Sequence, residues 1–307
     1  MTMQRSTVGR RANDTAPRKW SRARLVLMCA LCPRTTALQP ASFPQMMTQL
    51  DAPHVHTLPV PAAALARAHD IFEDALMPLL VDGLIERLNQ QLVPCVELDT
   101  RQGKFFVMRG GSSTKEALRD SSDLAWISVN DEATFAKYEQ IFDDTGVADV
   151  LAPLIDSERC VRLYSCFYVV RSRCSDPNYH TDWPDAVGNN AFTLLTPIED
   201  YKTEDFQLLY KDKAGSSLQY RYRTGEAICF SSRFVHSTEP GRSAAESNGR
   251  PHVFLCFTFG SDKEEHWPVI APTINGYQSR FLHRCDGESE LTEIGKYLQE
   301  ETRVRVQ

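Results

Sequence analysis

Four residues have the types and spacing of a metal site with an anion-binding arm: His180, Asp182, His236 and Arg250. His180 and Asp182 lie two positions apart in the segment YHTDWP. In an extended segment, residues i and i+2 point to the same side, about 6–7 Å apart at the backbone. An imidazole nitrogen and a carboxylate oxygen placed in this way can share one cation at bond lengths of roughly 2 Å. The spacing predicts two ligands of a metal ion.

The third ligand is predicted from the segment RTGEAICFSSRFVH, in which the turn residue Gly225 precedes an alternating apolar strand and His236 ends it. A strand that brings His236 to the first pair completes a set of two histidines and one carboxylate. Such a set leaves three octahedral positions open, as in non-haem Fe(II) oxygenases. A closed zinc site would need a fourth ligand, and no cysteine has suitable spacing.

Arg250 follows His236 by 14 residues and begins the apolar segment RPHVFLCF. The planar guanidinium fork can hold a carboxylate with two hydrogen bonds, as a dicarboxylate cosubstrate requires. Arg242 is an alternative, but it lies in the polar stretch GRSAAESNG. Arg250 is therefore the preferred carboxylate-binding residue.

The elements that must position these residues are predicted to be strands, because apolar residues recur at every second position from about residue 160 onwards. The predicted strands are 160–170, 190–198, 206–212, 218–223, 226–232 and 252–260. No helix of any length is predicted between them, so crossovers between parallel neighbours are not expected. The pattern predicts an antiparallel sandwich or open barrel.

Helical periodicity precedes this region. Residues 61–93 predict two helices, which begin at Pro61 and are separated near Pro78. Lys104–Met108 predicts a strand, residues 131–150 a helix ending near Gly146, and residues 286–300 a closing helix. The predicted organisation is a leader and linker over 1–60, a helical buttress with a short strand over 61–150, a β core over 151–285, and a C-terminal helix and tail over 286–307.

The charge is unevenly distributed along the 307 residues, whose formal net charge is −6. Residues 1–40 contain seven Arg and one Lys against one acid, so the remainder holds 26 basic and 39 acidic residues. An acidic body argues against nucleic acid as a partner. The basic segment has a short apolar run, LVLMCALC, which predicts either a targeting leader cut near residues 35–37 or a basic tail. As a leader it would direct the chain to a plastid, a mitochondrion or the secretory route; otherwise the chain would be cytoplasmic.

Cysteines and two further histidines offer weaker signals. The nine cysteines are irregularly spaced and several lie in apolar strands, which favours buried thiols over a disulfide framework. Cys29 and Cys32 have redox or zinc spacing but no second pair. His54 and His56 lie in the Pro-rich stretch 38–60, interpreted as linker. No apolar run is long enough to span a membrane as a helix.

The motifs together resemble those of the Fe(II)/2-oxoglutarate-dependent dioxygenase family. The resemblance covers His180-x-Asp182, GEAICFSSRFVH ending in His236, GRPHVFLCF with Arg250, and the intervening segments NAFTLLTPIEDY and FQLLY. It extends over about residues 160–260, one third of the chain. Two departures leave the subfamily open: Asp205-Phe206 stands where many relatives have Gly-Gly, and His252 where a small polar residue is common.

The resemblance implies an α+β fold with a double-stranded β-helix, or jelly-roll, core of antiparallel strands buttressed by N-terminal helices. It implies that His180, Asp182 and His236 hold Fe(II), that Arg250 binds the distal carboxylate of the cosubstrate 2-oxoglutarate, and that Tyr164 and Thr193 line the cosubstrate pocket. O2 is the oxidant and ascorbate a candidate reductant. Because position 182 is Asp, the halogenating branch of the family is disfavoured.

The expected function is hydroxylation of an unactivated C–H bond in a small metabolite. Two alternatives stay open: a peptidyl (prolyl-type) hydroxylase, and a metal-binding, cupin-like barrel without oxygenase activity. Arg250 separates the last from the others, because a simple metal-binding barrel has no need for a carboxylate grip. The sequence leaves the substrate and the oligomeric state undetermined.

Overall fold

The computed structural model describes residues 47–91, 95–109, 124–200, 206–242, 250–274, 279, 281–292 and 295–296. The predicted leader, its cleavage position and the Cys29–Cys32 pair lie outside these residues. All the described elements belong to one unit, residues 45–307. None of the described helices is both long and apolar enough to cross a membrane.

The described helices cover the segments in which helical periodicity was predicted, and one more. They are Ala62–Ala75 (α1), Met77–Val81 (α2), Leu84–Gln91 (α3), Glu132–Thr145 (α4), Val147–Leu151 (α5) and Trp267–Ile274 (α6). α1 buries Leu65, Ala68 and Phe72, which are spaced by three and four residues. The break near Pro78 is confirmed, since α2 begins one residue before it. α4 ends at Gly146, whose φ of 68° is a left-handed conformation that glycine adopts without steric cost.

Sixteen strands are assigned within the described ranges. They are Thr48–Gln49 (β1), Val55–Pro59 (β2), Cys95–Thr100 (β3), Gly103–Arg109 (β4), Leu124–Val129 (β5), Val161–Arg171 (β6), Arg173–Cys174 (β7), Ala191–Pro197 (β8), Leu208–Lys211 (β9), Ser217–Tyr220 (β10), Glu226–Phe230 (β11), His236–Thr238 (β12), Gly241–Arg242 (β13), His252–Ser261 (β14), Phe281–His283 (β15) and Ser289–Leu291 (β16). The strands predicted from the sequence between residues 160 and 260 are found within a few residues of their predicted bounds.

The strands form a mixed fold dominated by antiparallel sheets. Among the described strands, a nine-stranded sheet runs in the order β1-β2-β11-β8-β14-β6-β5-β4-β3, and a three-stranded sheet in the order β10-β9-β12. The pairings in both sheets are antiparallel, as predicted from the lack of helical crossovers.

The two faces of the large sheet bury different partners. Along β14, Val253, Leu255 and Phe257 belong to the hydrophobic core that also contains the buried face of α1. The opposite faces of β11 and β8 contribute Ile228, Phe230 and Leu195 to a second core, which contains Leu208 and Tyr210 of β9 and Tyr220 of β10. The helices therefore cover one face of the large sheet and the small sheet packs on the other. The candidate site lies at this second interface.

Two segments differ from their predicted structure. Val55–Pro59, interpreted as part of a linker, forms β2 and pairs with β11 over five residues. The side chains of β2 are buried except that of Pro59. The strand was not predicted because the segments on both sides of it are rich in proline. Residues 289–291, predicted as the start of a closing helix, instead form β16, which pairs with β15. Residues 297–307 lie outside the described residues.

The cysteines of the described residues are all free thiols: Cys95, Cys160, Cys166, Cys174, Cys229, Cys256 and Cys285. Most of them are buried in strands, in agreement with the prediction of thiols packed in a core.

Candidate metal centre

His180 and His236 are brought together by backbone pairing. His236 begins β12, and its N–H and C=O exchange hydrogen bonds of 2.9 Å each with the backbone of His180, forming an isolated antiparallel bridge. Directly opposed residues present their side chains on the same face. The two imidazole rings consequently lie 4.6 Å apart between centroids.

Asp182 approaches both rings from the chain that follows the bridge. Its Oδ1 lies 3.5 Å from Nε2 of His180 and 3.6 Å from Nε2 of His236. One donor atom from each of these three residues, named here the donor triad, lies within 4.8 Å of the others. This spacing suits donors that surround one cation at bond lengths of roughly 2.0–2.2 Å after small adjustments. The structure therefore brings together the three residues predicted as ligands, although Asp182 lies in a bend and not in the predicted strand.

The other ring nitrogens of the triad are held by backbone carbonyls. Nδ1 of His180 lies 2.7 Å from the carbonyl oxygen of Asn178, and Nδ1 of His236 lies 3.1 Å from that of Phe234. A carbonyl can only accept, so each Nδ1 donates its hydrogen and Nε2 keeps a lone pair. This is the tautomer that a metal requires from a histidine bound through Nε2.

Asp182 is oriented by a chain of two hydrogen bonds. Thr193 of β8 donates from Oγ1 to Oδ2 of Asp182 over 3.2 Å, and its oxygen accepts from Nε1 of the buried Trp183 over 3.0 Å. The carboxylate thus has one oxygen held by Thr193 and the other facing the imidazoles. Thr193 therefore positions a triad carboxylate, and its predicted contact with a cosubstrate stays a prediction.

The charges of the triad favour a cationic ligand. A hydrogen bond to Asp182 raises the pKa of His180. Burial opposes ionisation of Asp182, but the hydrogen bond from His180 and the proximity of His236 outweigh it and lower the pKa of that carboxyl. Burial lowers the pKa of His236, which keeps this ring neutral at neutral pH. In the metal-free site, Asp182 is therefore a carboxylate, His236 is a neutral imidazole, and His180 is the imidazole that binds a proton more readily.

Among the triad residues, the exposed side is that of His180. The side chain of His180 is 50% exposed and that of Asp182 22%, whereas that of His236 is 9% exposed. Phe234 stacks on the His236 ring at 5.3 Å and Phe230 lies 4.7 Å from it. Small molecules can therefore reach the triad past His180, while an apolar wall backs His236.

Arg250, predicted to bind the distal carboxylate of a cosubstrate, is already paired with carboxylates of the protein. Its guanidinium contacts Glu73 of α1 and lies 3.4 Å from Glu199, in the segment after β8. We name these three residues the Arg250 clasp. Two carboxylates on one guanidinium use the fork that a cosubstrate would need. The sequence could not reveal this pairing because Glu73 lies 177 positions away.

Tyr164, predicted to line the cosubstrate pocket, is buried and hydrogen-bonded to the backbone, and its predicted role stays a prediction. Its hydroxyl donates to the carbonyl of Ser261 over 2.6 Å, and its ring packs on Trp267 at 5.4 Å. Tyr164 lies in β6 where the register against β14 shifts, which turns it into a separate hydrophobic cluster with Trp183 and Trp267. Arg242, the alternative to Arg250, has a side chain outside the described residues.

Sequence analysis missed one charged residue of this interface, Arg171. It ends β6, is only partly exposed, and contacts the thiol of Cys174. The sequence signal that could have revealed it is an arginine that follows Phe167 and Val169 at every second position along a strand and therefore shares their face of the sheet.

Two other groups of donors satisfy the same spacing criterion in the described part of the chain. His69 joins the two carboxylates of the Arg250 clasp, and Asp156, Glu265 and His266 form an exposed group. Each already contains a cation, Arg250 in the first and Lys263 in the second. A surface groove of about 560 Å³ between α1 and α4, lined by Ile71 and Ala136 among others, contains no such donor group. The triad is therefore the candidate functional site because of its metal-binding side chains, and the size of a groove does not identify it.

No protein-family model and no curated protein matches this chain. Solved structures do match, at low identity. An oxidoreductase of the 2OG-Fe(II) oxygenase family from Burkholderia pseudomallei is 10% identical with a TM-score of 0.39, covering 67% of this chain and 85% of its own. HygX from Streptomyces hygroscopicus, with nickel and 2-oxoglutarate bound, is 12% identical with a TM-score of 0.37, over 69% and 84%. A prolyl-4-hydroxylase from Pseudomonas putida is 14% identical with a TM-score of 0.36, over 67% and 93%.

With TM-scores below 0.5, these matches carry no argument about activity, and the functional assignment depends on the donor triad. In its motifs, the chain resembles the Fe(II)/2-oxoglutarate-dependent dioxygenase family.

Proposed function

We propose that this chain is an Fe(II)- and 2-oxoglutarate-dependent dioxygenase that hydroxylates an unactivated C–H bond of a small molecule. The observation that carries the proposal is the donor triad, in which two Nε2 atoms and one carboxylate oxygen converge within 4.8 Å. Three protein ligands from one side leave room for a chelating cosubstrate and O2, as in the non-haem Fe(II) oxygenases.

We also propose that the core is a double-stranded β-helix. The order of the strands supports this: β8 lies in the large sheet, β9 and β10 in the small sheet, β11 in the large, β12 in the small and β14 in the large. A chain that winds between two facing sheets in this way has the character of a jelly roll. In this order of strands, His236 lies in the small sheet, His180 pairs with it, and Thr193 lies in the large sheet.

The residues of the site have separate roles in this proposal. A bound Fe(II) with 2-oxoglutarate would supply the oxidising chemistry, since no side chain of the protein can activate O2. His180 and His236 donate lone pairs, Asp182 supplies the negative charge, and Thr193 orients Asp182. Phe230 and Phe234 keep water from the inner side of His236. The open side past His180 admits the substrate.

A metal-binding, cupin-like barrel is the second candidate, and one observation favours it. Arg250 was the residue that separated the two classes, and it is engaged by Glu73 and Glu199. The triad alone is compatible with a metal site that uses no 2-oxoglutarate. Binding of the cosubstrate must therefore be measured directly.

The experiment combines metal-dependent binding of 2-oxoglutarate with release of succinate in the presence of Fe(II), ascorbate and O2. We expect the wild-type chain to bind 2-oxoglutarate only when metal is present and to form succinate slowly without substrate. Asp182→Ala is the control, because it removes a ligand. Metal binding without any 2-oxoglutarate binding would reject the oxygenase and favour the cupin-like barrel. Comparison of metabolite extracts and prolyl peptides by mass spectrometry then separates small-molecule from peptidyl substrates.

A further inference from the structure

Arg171 is the last residue of β6, and the register of the sheet places its side chain. Arg171 pairs with His252 and Val169 with Phe254 across β6 and β14. The residues that alternate with them, Tyr168 and Val170, belong to the core on the helical side of the sheet. Because side chains alternate along a strand, Arg171 shares the opposite face, which is the face that meets the small sheet.

The surroundings of Arg171 connect it to the donor triad. Its guanidinium interacts with the thiol of Cys174 on β7 and with the phenol of Tyr222. Tyr222 packs on Phe254, at 4.5 Å between ring centroids, and so lines the same interface. The thiol of Cys174 in turn lies 3.9 Å from the carbonyl oxygen of Thr238, the last residue of β12, and His236 of the triad is the first residue of that strand. Arg171 and Tyr222 thus line the interface that contains the triad.

The charge of Arg171 is not neutralised by the part of the chain that the structure describes. Over those ranges its interaction partners are a thiol and a phenol, and no ion pair joins it to a carboxylate. A guanidinium remains charged at any relevant pH, and a largely buried charge without a counter-ion is costly. Arg250, by contrast, is bound by two carboxylates. Arg250, for which the sequence predicted a carboxylate-binding role, is thus already held by carboxylates, whereas Arg171, for which it predicted nothing, has no carboxylate partner among the described residues.

We propose that Arg171, assisted by the hydroxyl of Tyr222, binds the distal carboxylate of 2-oxoglutarate, the role that sequence analysis assigned to Arg250. The inference rests on the proposed function. The keto and adjacent carboxylate groups would chelate the metal at the triad, and the two methylenes of the cosubstrate would lie between the sheets. The guanidinium fork of Arg171 would then receive its missing anion, with the phenol donating a further hydrogen bond.

The test compares two keto acids under anaerobic conditions with Ni(II), which removes turnover from the measurement. 2-Oxoglutarate has the distal carboxylate, and 2-oxobutanoate has the same chelating end without it. We expect Arg171→Met to weaken 2-oxoglutarate binding by roughly 10- to 100-fold, the range for hydrogen bonds to a charged group. Binding of 2-oxobutanoate should stay unchanged, so the preference of the wild type is lost. Arg171→Lys should restore part of it, because Lys keeps the charge without the fork.

Two matched arginine variants complete the design. Arg173→Met removes an exposed arginine two residues further along the chain, and Arg250→Met removes the rival assignment. Both should keep the preference for 2-oxoglutarate. If Arg171→Met does not fold, Tyr222→Phe provides a second variant, and we expect a smaller loss of the same preference.

The outcomes distinguish this inference from the proposed function. An Arg171→Met chain that folds and keeps the full preference overturns the assignment to Arg171 and leaves the oxygenase proposal standing. Loss of the preference in Arg250→Met alone returns the role to Arg250. A wild-type chain that binds metal but neither keto acid overturns the oxygenase proposal, and the assignment with it.

Discussion

Two clusters of histidine and carboxylate in this molecule pass the same geometric criterion but differ in charge. The donor triad and the group of His69 with the carboxylates of the Arg250 clasp each bring three donor atoms within 4.8 Å. In the second group a guanidinium already lies between the carboxylates. In the triad, the groups around Asp182 are the two imidazoles and the hydroxyl of Thr193. Donor spacing alone therefore does not identify a metal site; the second condition is that no arginine or lysine of the described residues is paired with the donor carboxylate.

The largest expected effect is on metal affinity. Asp182→Ala or His236→Ala removes one of three ligands, and we expect Ni(II) or Fe(II) to bind at least about 100-fold more weakly, beyond the loss typical of outer contacts. Glu73→Gln, in the other cluster, is the control and should leave the affinity within about twofold, since surface changes remote from a site have small effects. Isothermal titration of each variant provides the measurement. Comparable losses from both clusters would mean that the charge distinction is wrong.

The next effect tests how the triad is held. Thr193→Val removes the hydroxyl that donates to Asp182 and accepts from Trp183. We expect metal affinity to fall by roughly tenfold or somewhat more, as for other residues that orient a metal ligand. Thr193→Ser keeps the hydroxyl and should bind metal like the wild type. An affinity in Thr193→Val equal to that of Thr193→Ser would show that Asp182 needs no such support.

The Arg250 clasp should contribute to stability and not to metal binding. Arg250→Met leaves Glu73 and Glu199 as two half-buried carboxylates without their cation. We expect a loss of about 1–2 kcal/mol in the free energy of unfolding, between the values for exposed and fully buried ion pairs. Arg101→Met breaks the more exposed pair with Asp74 on the same helix and should cost less than about 0.5 kcal/mol. Denaturant unfolding of the two variants and the wild type measures both losses in the free energy of unfolding. Equal losses would contradict the larger contribution expected of Arg250.

The smallest effect concerns pH. The pKa of His180 is raised by its hydrogen bond to Asp182, so the metal-free site holds a proton that a metal must displace. As pH falls through that raised pKa, metal affinity should decrease by up to about tenfold per pH unit. His236 adds to this only at lower pH, because burial lowers its pKa. Titrations from about pH 8 to pH 6 that return a constant affinity would contradict the protonated state of His180.

The sequence predicted what is local and left out what depends on distant partners. The alternation of apolar residues is set by each strand itself, so segments such as His252–Ser261 were found within a residue or two. The three triad residues were found because two lie two positions apart in sequence and the third ends a recognisable strand. The state of Arg250 could not be predicted, since it depends on a helix far along the chain. The same applies to Val55–Pro59, whose strand exists only because β11 offers it an edge.

That edge has a consequence for shortened forms of the protein. β2 pairs with the edge of β11, and the chain runs from the end of β11 to His236. A chain trimmed to begin at residue 61 would keep every triad residue and yet leave a row of unsatisfied backbone amides along β11, open to pairing with other molecules. Trimming at residue 37 would spare the strand. Solubility should therefore fall sharply between these two start points, even though neither removes a residue of the donor triad.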